Sequence, residues 1–180
     1  PSARLEEPLP DSTSAAAEEG TVAHELAEYA LSKYLAGEYM PLLDELPTPK
    51  EISESKYYSS EMDKYVTDYI CYVCDIFEMC GDAEMHIERK FDLTSYVPEC
   101  FGSCDCAIEG TNILNIIDLK YGKGVRVEAK DNTQLMMYAL GVLRSLSPKR
   151  QAEIETIKMH IAQVRLGNYE VFEMSARDLT

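Results

Sequence analysis

The sequence predicts an α/β protein, and three observations support this class. Two long segments in the first half repeat apolar residues at helical spacing. Three short runs in the middle of the chain have the alternation or the β-branched, apolar character of strands. A further helix and a further strand follow them, and mixed elements in this order predict helices packed on a sheet.

The two long helical segments have recognisable ends. The first is predicted over residues 15–36, and Gly37 suits its C-terminal end. The second is predicted to begin at a capping serine, Ser59 or Ser60, and to run to about Cys80. The apolar stripe of each helix is expected to face a core.

The segments around these helices are expected to be irregular. Residues 1–13 carry three prolines and are predicted to be an extended lead-in to a single domain over residues 14–180. Residues 41–55 also hold three prolines, with many acidic residues, and are predicted to be a solvated connector. A capping-box pattern at residues 175–178 would open a helix, so the chain is expected to be a fragment of a longer protein.

Three strands are predicted in the middle of the chain. Residues 85–93 alternate apolar and polar side chains, which indicates a half-buried strand with Glu88 on its polar face. Two further apolar runs occupy residues 104–108 and 112–121. The turn at residues 109–112 could join these runs as a hairpin.

One more helix and one or two strands are predicted in the last third. The helix is expected to start at Asp131 or Asn132 and to run through Leu143. A strand is predicted over residues 157–166, with apolar side chains on both faces, and a short strand over residues 169–173.

Charged residues of the predicted hairpin could share one cavity. Asp118 and Lys120 are two residues apart in a strand, and side chains at that spacing lie on the same side. Asp105 belongs to the other arm, so two carboxylates and a lysine would converge. A divalent cation between carboxylates could activate water and neutralise charge on a phosphate. The alternative is a plain salt bridge between Asp118 and Lys120 at a strand end.

Four motifs follow one another along the chain. They are a glycine-to-histidine motif at residues 20–24, G-x-x-D at residues 102–105, D-x-K at residues 118–120 and Q-x-x-x-Y at residues 134–138. Together they resemble the RecB-like branch of the PD-(D/E)xK nucleases, and most closely exonucleases encoded by phages and prophages. The resemblance covers about residues 20–165. It implies a restriction-endonuclease-like core of a helix, a three-stranded meander, a helix and a strand, here with extra N-terminal helices.

The resemblance also implies a metal site. His24, Asp105 and Asp118 are expected to hold Mg²⁺ or Mn²⁺, with the carbonyl of Leu119 as a further ligand. The two aspartates are expected to be catalytic as well. The alternative for His24 is a helix-surface histidine paired with Glu28, four residues later.

Further roles follow from the same resemblance. Lys120 is expected to be the catalytic lysine, and Glu88 resembles the acidic residue that often precedes the G-x-x-D motif. Gln134 and Tyr138 are expected to border the site on one helix face and to contact DNA. The alternative for Glu88 is a solvated carboxylate on the polar face of its strand.

The formal charge of −15 argues against general affinity for nucleic acid, because phosphates bind mainly Lys and Arg. Residues 118–150 are the exception, with seven Lys or Arg against three Asp or Glu. In this region Lys123 and Arg126 lie in a glycine loop after the D-x-K strand and could grip phosphate. The basic region therefore coincides with the predicted site.

The chain has six cysteines, which are expected to be mostly thiols. Cys71 and Cys74 form a C-x-x-C pair that could bind zinc or act in redox chemistry. However, the pair lies in a predicted helix without a histidine or further cysteine at zinc-ribbon spacing, so buried core thiols are favoured.

These observations predict a metal-dependent deoxyribonuclease, and specifically an exonuclease, that hydrolyses DNA phosphodiester bonds with metal-activated water. The alternative is a non-cleaving module on the same fold that binds nucleic acid or takes part in recombination assemblies, and a third candidate is an unrelated acidic interaction protein. The expected partner is DNA, with a second copy of the chain or a phage recombination protein as further candidates. No apolar run reaches 18 residues and no signal-peptide pattern is present, so a cytoplasmic location without a membrane partner is expected.

Overall fold

A computed structural model describes residues 15–94, 99 and 101–180. Within these ranges five β-strands form a mixed sheet with helices packed on both faces. The α/β class predicted from the sequence is confirmed. The lead-in predicted at residues 1–13 lies outside the described residues.

Three helices precede the sheet: α1 (Ala15–Leu35), α2 (Lys50–Ser53) and α3 (Ser60–Cys80). The side chain of Ser59 caps α3, as the sequence predicts. The single turn of α2 lies inside the segment predicted to be solvated, and that prediction is wrong at Ile52, which is buried against the core. Across the described ranges, no helix combines the length and the apolar character needed to cross a membrane.

An antiparallel meander follows: β1 (Glu84–Asp92), β2 (Phe101–Glu109) and β3 (Ile113–Leu119). β2 begins earlier than predicted because its first residues pair with the end of β1, where Phe101 lies opposite Asp92. The predicted hairpin turn is closed by a 2.9 Å hydrogen bond from the backbone N–H of Gly110 to the carbonyl of Ile113.

The remaining elements are α4 (Thr133–Ser145), α5 (Pro148–Glu153), β4 (Thr156–Gln163), β5 (Asn168–Ser175) and α6 (Ala176–Leu179). The strand predicted over residues 157–166 stops at Gln163. Residues 164–166 form a 3₁₀ turn, which ends at Gly167 with a φ of 58°. Glycine adopts this left-handed conformation readily, and it turns the chain into β5.

The strands are ordered β1-β2-β3-β4-β5, and among them β3 and β4 are the parallel pair. A parallel pair needs a long crossover connection, and here the crossover contains α4 and α5. α4 packs back against β1 and β3. The crossover therefore brings α4 beside the carboxyl end of β3, where the predicted site begins.

Two hydrophobic cores lie on opposite faces of the sheet. Leu26 of α1 and Tyr69 of α3 pack with Ile117 in one core. Leu135 of α4 packs with Ile116 in the other. Because successive side chains of a strand point to opposite faces, β3 is buried on both sides. The same arrangement explains the two apolar faces of β4.

β1 and β2 both change faces near one position. Ile87 and Cys106 pack in the core beneath α1 and α3, whereas Phe91 and Cys104 pack in the core beneath α4. Regular alternation would keep residues two or four apart on the same face. The change in β1 occurs next to Glu88, whose φ of 48° is in the left-handed region. The sheet is therefore distorted at a predicted site residue.

Candidate active site

A cavity of about 400 Å³ opens at the carboxyl end of β3, between α1 and α4. His24 from α1, Asp105 from β2 and Asp118 from β3 line it. Four more of the predicted residues share its wall: Leu119, Lys120, Gln134 and Tyr138. Residues from four segments that are distant in sequence thus meet at one place, as the motifs predict.

His24 and Asp105 contact each other where α1 meets the sheet. The imidazole Nδ1 lies 3.2 Å from Oδ1 of the carboxylate. Burial lowers the pKa of His24, but the attraction of Asp105 outweighs burial, and the net shift is upward. The other oxygen of Asp105 accepts a 2.7 Å hydrogen bond from the backbone N–H of Leu119. Asp105 therefore joins α1 to β3, and the carboxylate that His24 contacts belongs to β2.

Asp118 is a carboxylate that is only 3% exposed. Burial, with a smaller contribution from repulsion by Asp105, raises its pKa to about 6, although Lys120 opposes the rise. Its Oδ1 accepts a 3.2 Å hydrogen bond from the ammonium of Lys120, and Oδ2 lies 2.9 Å from the same nitrogen outside hydrogen-bond geometry. The Lys120 ammonium therefore pairs with both oxygens of the buried Asp118 carboxylate.

Lys120, Gln134 and Tyr138 form a chain of hydrogen bonds along the cavity wall. The ammonium of Lys120 donates to Oε1 of Gln134 over 3.1 Å, and the Gln134 amide nitrogen donates to the Tyr138 hydroxyl over 2.7 Å. Gln134 and Tyr138 are four residues apart on α4 and so lie on the same face. The chain holds the ammonium between α4 and the Asp118 carboxylate.

Glu88 joins the cluster from β1. The pairing register is unchanged on either side of it, so Glu88 lies across from Asp105. Its left-handed backbone conformation costs a non-glycine residue about 1–3 kcal/mol, and such strain is concentrated at functional sites. His24, Glu88 and Asp105 each place a ligand atom within 4.8 Å of the others. Burial raises the pKa of the Glu88 carboxyl, which indicates that this position is poorly solvated.

This donor set suits a divalent cation. Carboxylate and carbonyl oxygens are the ligands of hard cations, and one imidazole is compatible with Mn²⁺. One feature is costly without a cation, namely the repulsion between Asp105 and Asp118. The ligand atoms of His24, Glu88 and Asp105 are close enough to share one ion, and Asp118 and Leu119 line the adjoining cavity with His24 and Asp105.

The two basic loop residues do not line the cavity. Lys123 lies 3.8 Å from a carboxylate oxygen of Glu61 on α3, and Arg126 lies 2.7 Å from Glu170 on β5. Their glycine neighbours line the wall instead. Phosphate contact by Lys123 and Arg126 stays a prediction, and it would require each cation to exchange a carboxylate for a phosphate.

Gln163, the last residue of β4, and Arg165 in the following 3₁₀ turn complete the surroundings of the site, and no sequence motif pointed to either. Gln163 lines the cavity. Arg165 lies 2.8 Å from Glu19 of α1, and its guanidinium lies 4.8 Å from the ring centroid of Tyr121. No local pattern identifies these residues, because their partners come from distant segments of the chain.

Five cysteines within the described part of the chain are free thiols: Cys71, Cys74, Cys80, Cys104 and Cys106. Burial raises the pKa of Cys74 to about 12, and its side chain packs in the core beneath α1 and α3. This burial agrees with the core-thiol interpretation for Cys74, whereas Cys71 is only partly buried.

The fold and the site together define a mixed α/β protein with a cluster of carboxylates and a histidine that could bind a metal ion. The model of the DUF2800 family, whose description is "protein of unknown function", matches residues 1–180. The chain therefore belongs to the DUF2800 family.

Proposed function

We propose that this protein is a metal-dependent deoxyribonuclease of the RecB-like branch of the PD-(D/E)xK nucleases, acting as an exonuclease in the cytoplasm. The observation that carries the proposal is the meeting of Asp105, Asp118 and Lys120 in one cavity. Two carboxylates beside a lysine suit a site where a cation and an ammonium act on the same phosphate. The order of helix, antiparallel meander, helix and parallel strand supports a restriction-endonuclease-like core.

Mg²⁺ or Mn²⁺ is the proposed cofactor. Asp105, Asp118, the Leu119 carbonyl and His24 would hold it, with Glu88 in reach of the same cluster. A bound divalent cation lowers the pKa of water and neutralises charge on a phosphate. The repulsion between the two aspartates would then be offset.

Lys120 would act on the phosphate. Its ammonium already lies between Asp118 and Gln134, so little conformational freedom remains to be lost when a substrate arrives. A fixed positive charge in a partly buried site stabilises negative charge that develops on phosphate oxygens. Gln134 would position this ammonium, and Tyr138 would position Gln134 through its hydroxyl.

Incubation of the purified protein with end-labelled linear DNA and with closed circular DNA tests the proposal, in Mg²⁺, in Mn²⁺ and in EDTA. We expect degradation of linear DNA only, with no degradation in EDTA or by the Asp118→Asn variant. Cleavage of the circle would show an endonuclease instead. A folded protein that cuts neither substrate with either cation would overturn the nuclease assignment.

A non-cleaving nucleic-acid-binding or recombination-assembly module is the second candidate. The net charge of −15 and the carboxylate partners of Lys123 and Arg126 both weaken attraction to phosphate, so they favour the recombination-assembly form of this candidate over an efficient nuclease. The two candidates separate when binding and cleavage are measured on the same labelled DNA. Binding without metal-dependent cleavage would support the second candidate.

A further inference from the structure

The most exposed apolar side chain among the large hydrophobic residues of the described chain lies beside the candidate active site. Val125 is 88% exposed, in the loop that follows β3. Gly124 before it and Val127 after it both line the cavity. Lys123 and Arg126 lie on the same loop, so a basic residue is found within two positions of Val125 on each side in the sequence.

One exposed valine is ordinary on a protein surface. What distinguishes Val125 is that buried side chains hold its backbone in place. Gln163, 3% exposed, donates from Nε2 to the carbonyl of Val125 over 3.0 Å and accepts at Oε1 from the N–H of Val127 over 3.1 Å. The Gln163 amide thus satisfies a carbonyl and an N–H two residues apart, as a neighbouring strand would.

Two more side chains of the β4–β5 region hold the same loop. Asn168, 6% exposed, donates to the carbonyl of Val127 over 3.1 Å and to Oε1 of Gln163 over 3.3 Å. Glu170 accepts from the N–H of Ala129 over 3.1 Å and pairs with Arg126. These hydrogen bonds fix the backbone on both sides of Val125, and its side chain points into solvent.

We propose that Gln163 and Asn168 hold this loop so that Val125 packs against a nucleobase of DNA bound in the cavity. The proposal rests on the proposed nuclease function and adds a specific contact to it. A base has an apolar face, and proteins place apolar side chains against bases next to the phosphates that their cations bind. Val125 is a positioning residue, because it would fix the strand relative to Asp118 and Lys120 without touching the scissile bond.

The chain contains no tryptophan, so a single introduced indole reports on one position. The Val125→Trp protein is mixed with single-stranded DNA or with blunt-ended duplex DNA, with Ca²⁺ in place of Mg²⁺. Binding should quench the tryptophan fluorescence, because bases stack on an indole. The matched control is Met79→Trp. Met79 is 87% exposed and lies near the C-terminal end of α3. It is roughly 27 Å along the helix from Glu61, which contacts Lys123 of the Val125 loop. The emission of this control should be unchanged by the same DNA.

A second pair of variants measures affinity with fluorescein-labelled DNA. Val125→Ser should weaken binding about fivefold, as expected when part of a valine leaves an apolar contact. Val171→Ser is the control, since Val171 is 51% exposed on β5 and does not line the cavity. The double variant Gln163→Met, Val125→Trp is measured well below its melting temperature. Its tryptophan fluorescence should have a lower anisotropy than that of Val125→Trp and should be quenched less by DNA. A role in stability alone would leave that anisotropy unchanged.

The outcomes are distinguishable. If the wild-type protein binds no DNA, the proposed function fails and the base contact fails with it. If the wild-type protein binds DNA but the indole of Val125→Trp is quenched no more than that of Met79→Trp, and Val125→Ser binds as tightly as Val171→Ser, the base contact alone is overturned. A blue-shifted emission of Val125→Trp that depends on protein concentration without DNA would also overturn it, because this position would then meet a second copy of the chain.

Discussion

The imidazole of His24 lies 3.2 Å from the carboxylate of Asp105, and this contact joins the first helix to the second strand of the sheet. Asp105 in turn accepts a hydrogen bond from the backbone of Leu119 at the end of β3. An ion held by this group would add a further connection between α1, β2 and β3. Ion binding should therefore be visible as added stability of the whole fold.

The first prediction concerns this added stability. Mn²⁺ at about one hundred times its dissociation constant should add about 3 kcal/mol, which raises the melting temperature of a chain of this length by about 5–10 °C. Asp118→Asn should lose most of the increase, because the amide lacks the charge that holds a divalent cation. Differential scanning calorimetry with and without Mn²⁺ measures both proteins.

Asp178→Asn is the control for this experiment, since Asp178 is exposed on α6 and does not line the cavity. It should keep the full increase. An Asp118→Asn protein that is stabilised by Mn²⁺ as strongly as the wild type would remove Asp118 from the metal site.

The second prediction separates catalysis from metal binding at Lys120. Lys120→Ala should slow cleavage by about 10²–10³, because a positive charge beside the reacting phosphate is lost. It should not weaken Mn²⁺ binding, since Lys120 is no ligand and its charge repels the cation. The exposed Lys149→Ala on α5 is the control in both assays. Wild-type cleavage by Lys120→Ala would leave only the salt bridge to Asp118 as its role.

The third prediction is a pH dependence of stability that arises at His160. Burial lowers the pKa of His160 to about 4 in the folded protein, from 6.5 when unfolded. The unfolded chain therefore binds a proton below pH 6.5 while the folded protein does not, so stability is complete above pH 6.5 and is lost as pH falls toward 4. The shift corresponds to about 3 kcal/mol at most.

His160→Gln isolates this contribution, because glutamine can keep the hydrogen bonds with Tyr72 and Asn115 but does not titrate. Urea unfolding at pH 7 and at pH 4.5 gives the loss for each protein. The wild type should lose roughly 2–3 kcal/mol more than the variant. Equal losses would show that His160 titrates normally in the folded protein.

The fourth prediction compares two glycines within helices. A Cβ at Gly141 of α4 would lie 2.3 Å from Phe91 Cδ2, so Gly141→Ala should destabilise the protein by about 1–3 kcal/mol despite the higher helix propensity of alanine. At Gly20 of α1 a Cβ meets nothing within 4 Å, so Gly20→Ala should stabilise by up to about 1 kcal/mol. Denaturant unfolding measures both. A Gly141→Ala protein as stable as the wild type would contradict the close packing of α4 on β1.

Sequence patterns located most of the elements and much of the site. The bounds of α1 and α3 follow from apolar spacing and capping, because those signals are local. The one-turn helix α2 is too short to produce a periodic pattern, and the early start of β2 depends on its pairing with β1. Asp118 and Lys120 were placed together because a strand fixes which side chains share a face, whereas Asp105 was added through the predicted hairpin and the motif resemblance.

The unpredicted features depend on partners that are far apart in sequence. Lys123 and Arg126 lie beside the site in the chain, but Glu61 and Glu170, which hold their side chains elsewhere, come from α3 and β5. The left-handed conformation of Glu88 is another example. Glycine, or occasionally Asn or Asp, is the usual residue for such a conformation, so a glutamate gives no local signal of it.

The parallel pairing of β3 with β4 is expected to form after the antiparallel meander during folding. The meander of β1, β2 and β3 closes through short connections, whereas β4 can add to it only after the long crossover has folded back. Closing a longer loop costs more entropy before its contacts form, so non-local pairing slows folding. Asp105 and Asp118 can thus approach each other early in a nascent hairpin, while the helix that carries Gln134 arrives later. The cavity wall is expected to be among the last parts of the molecule to form.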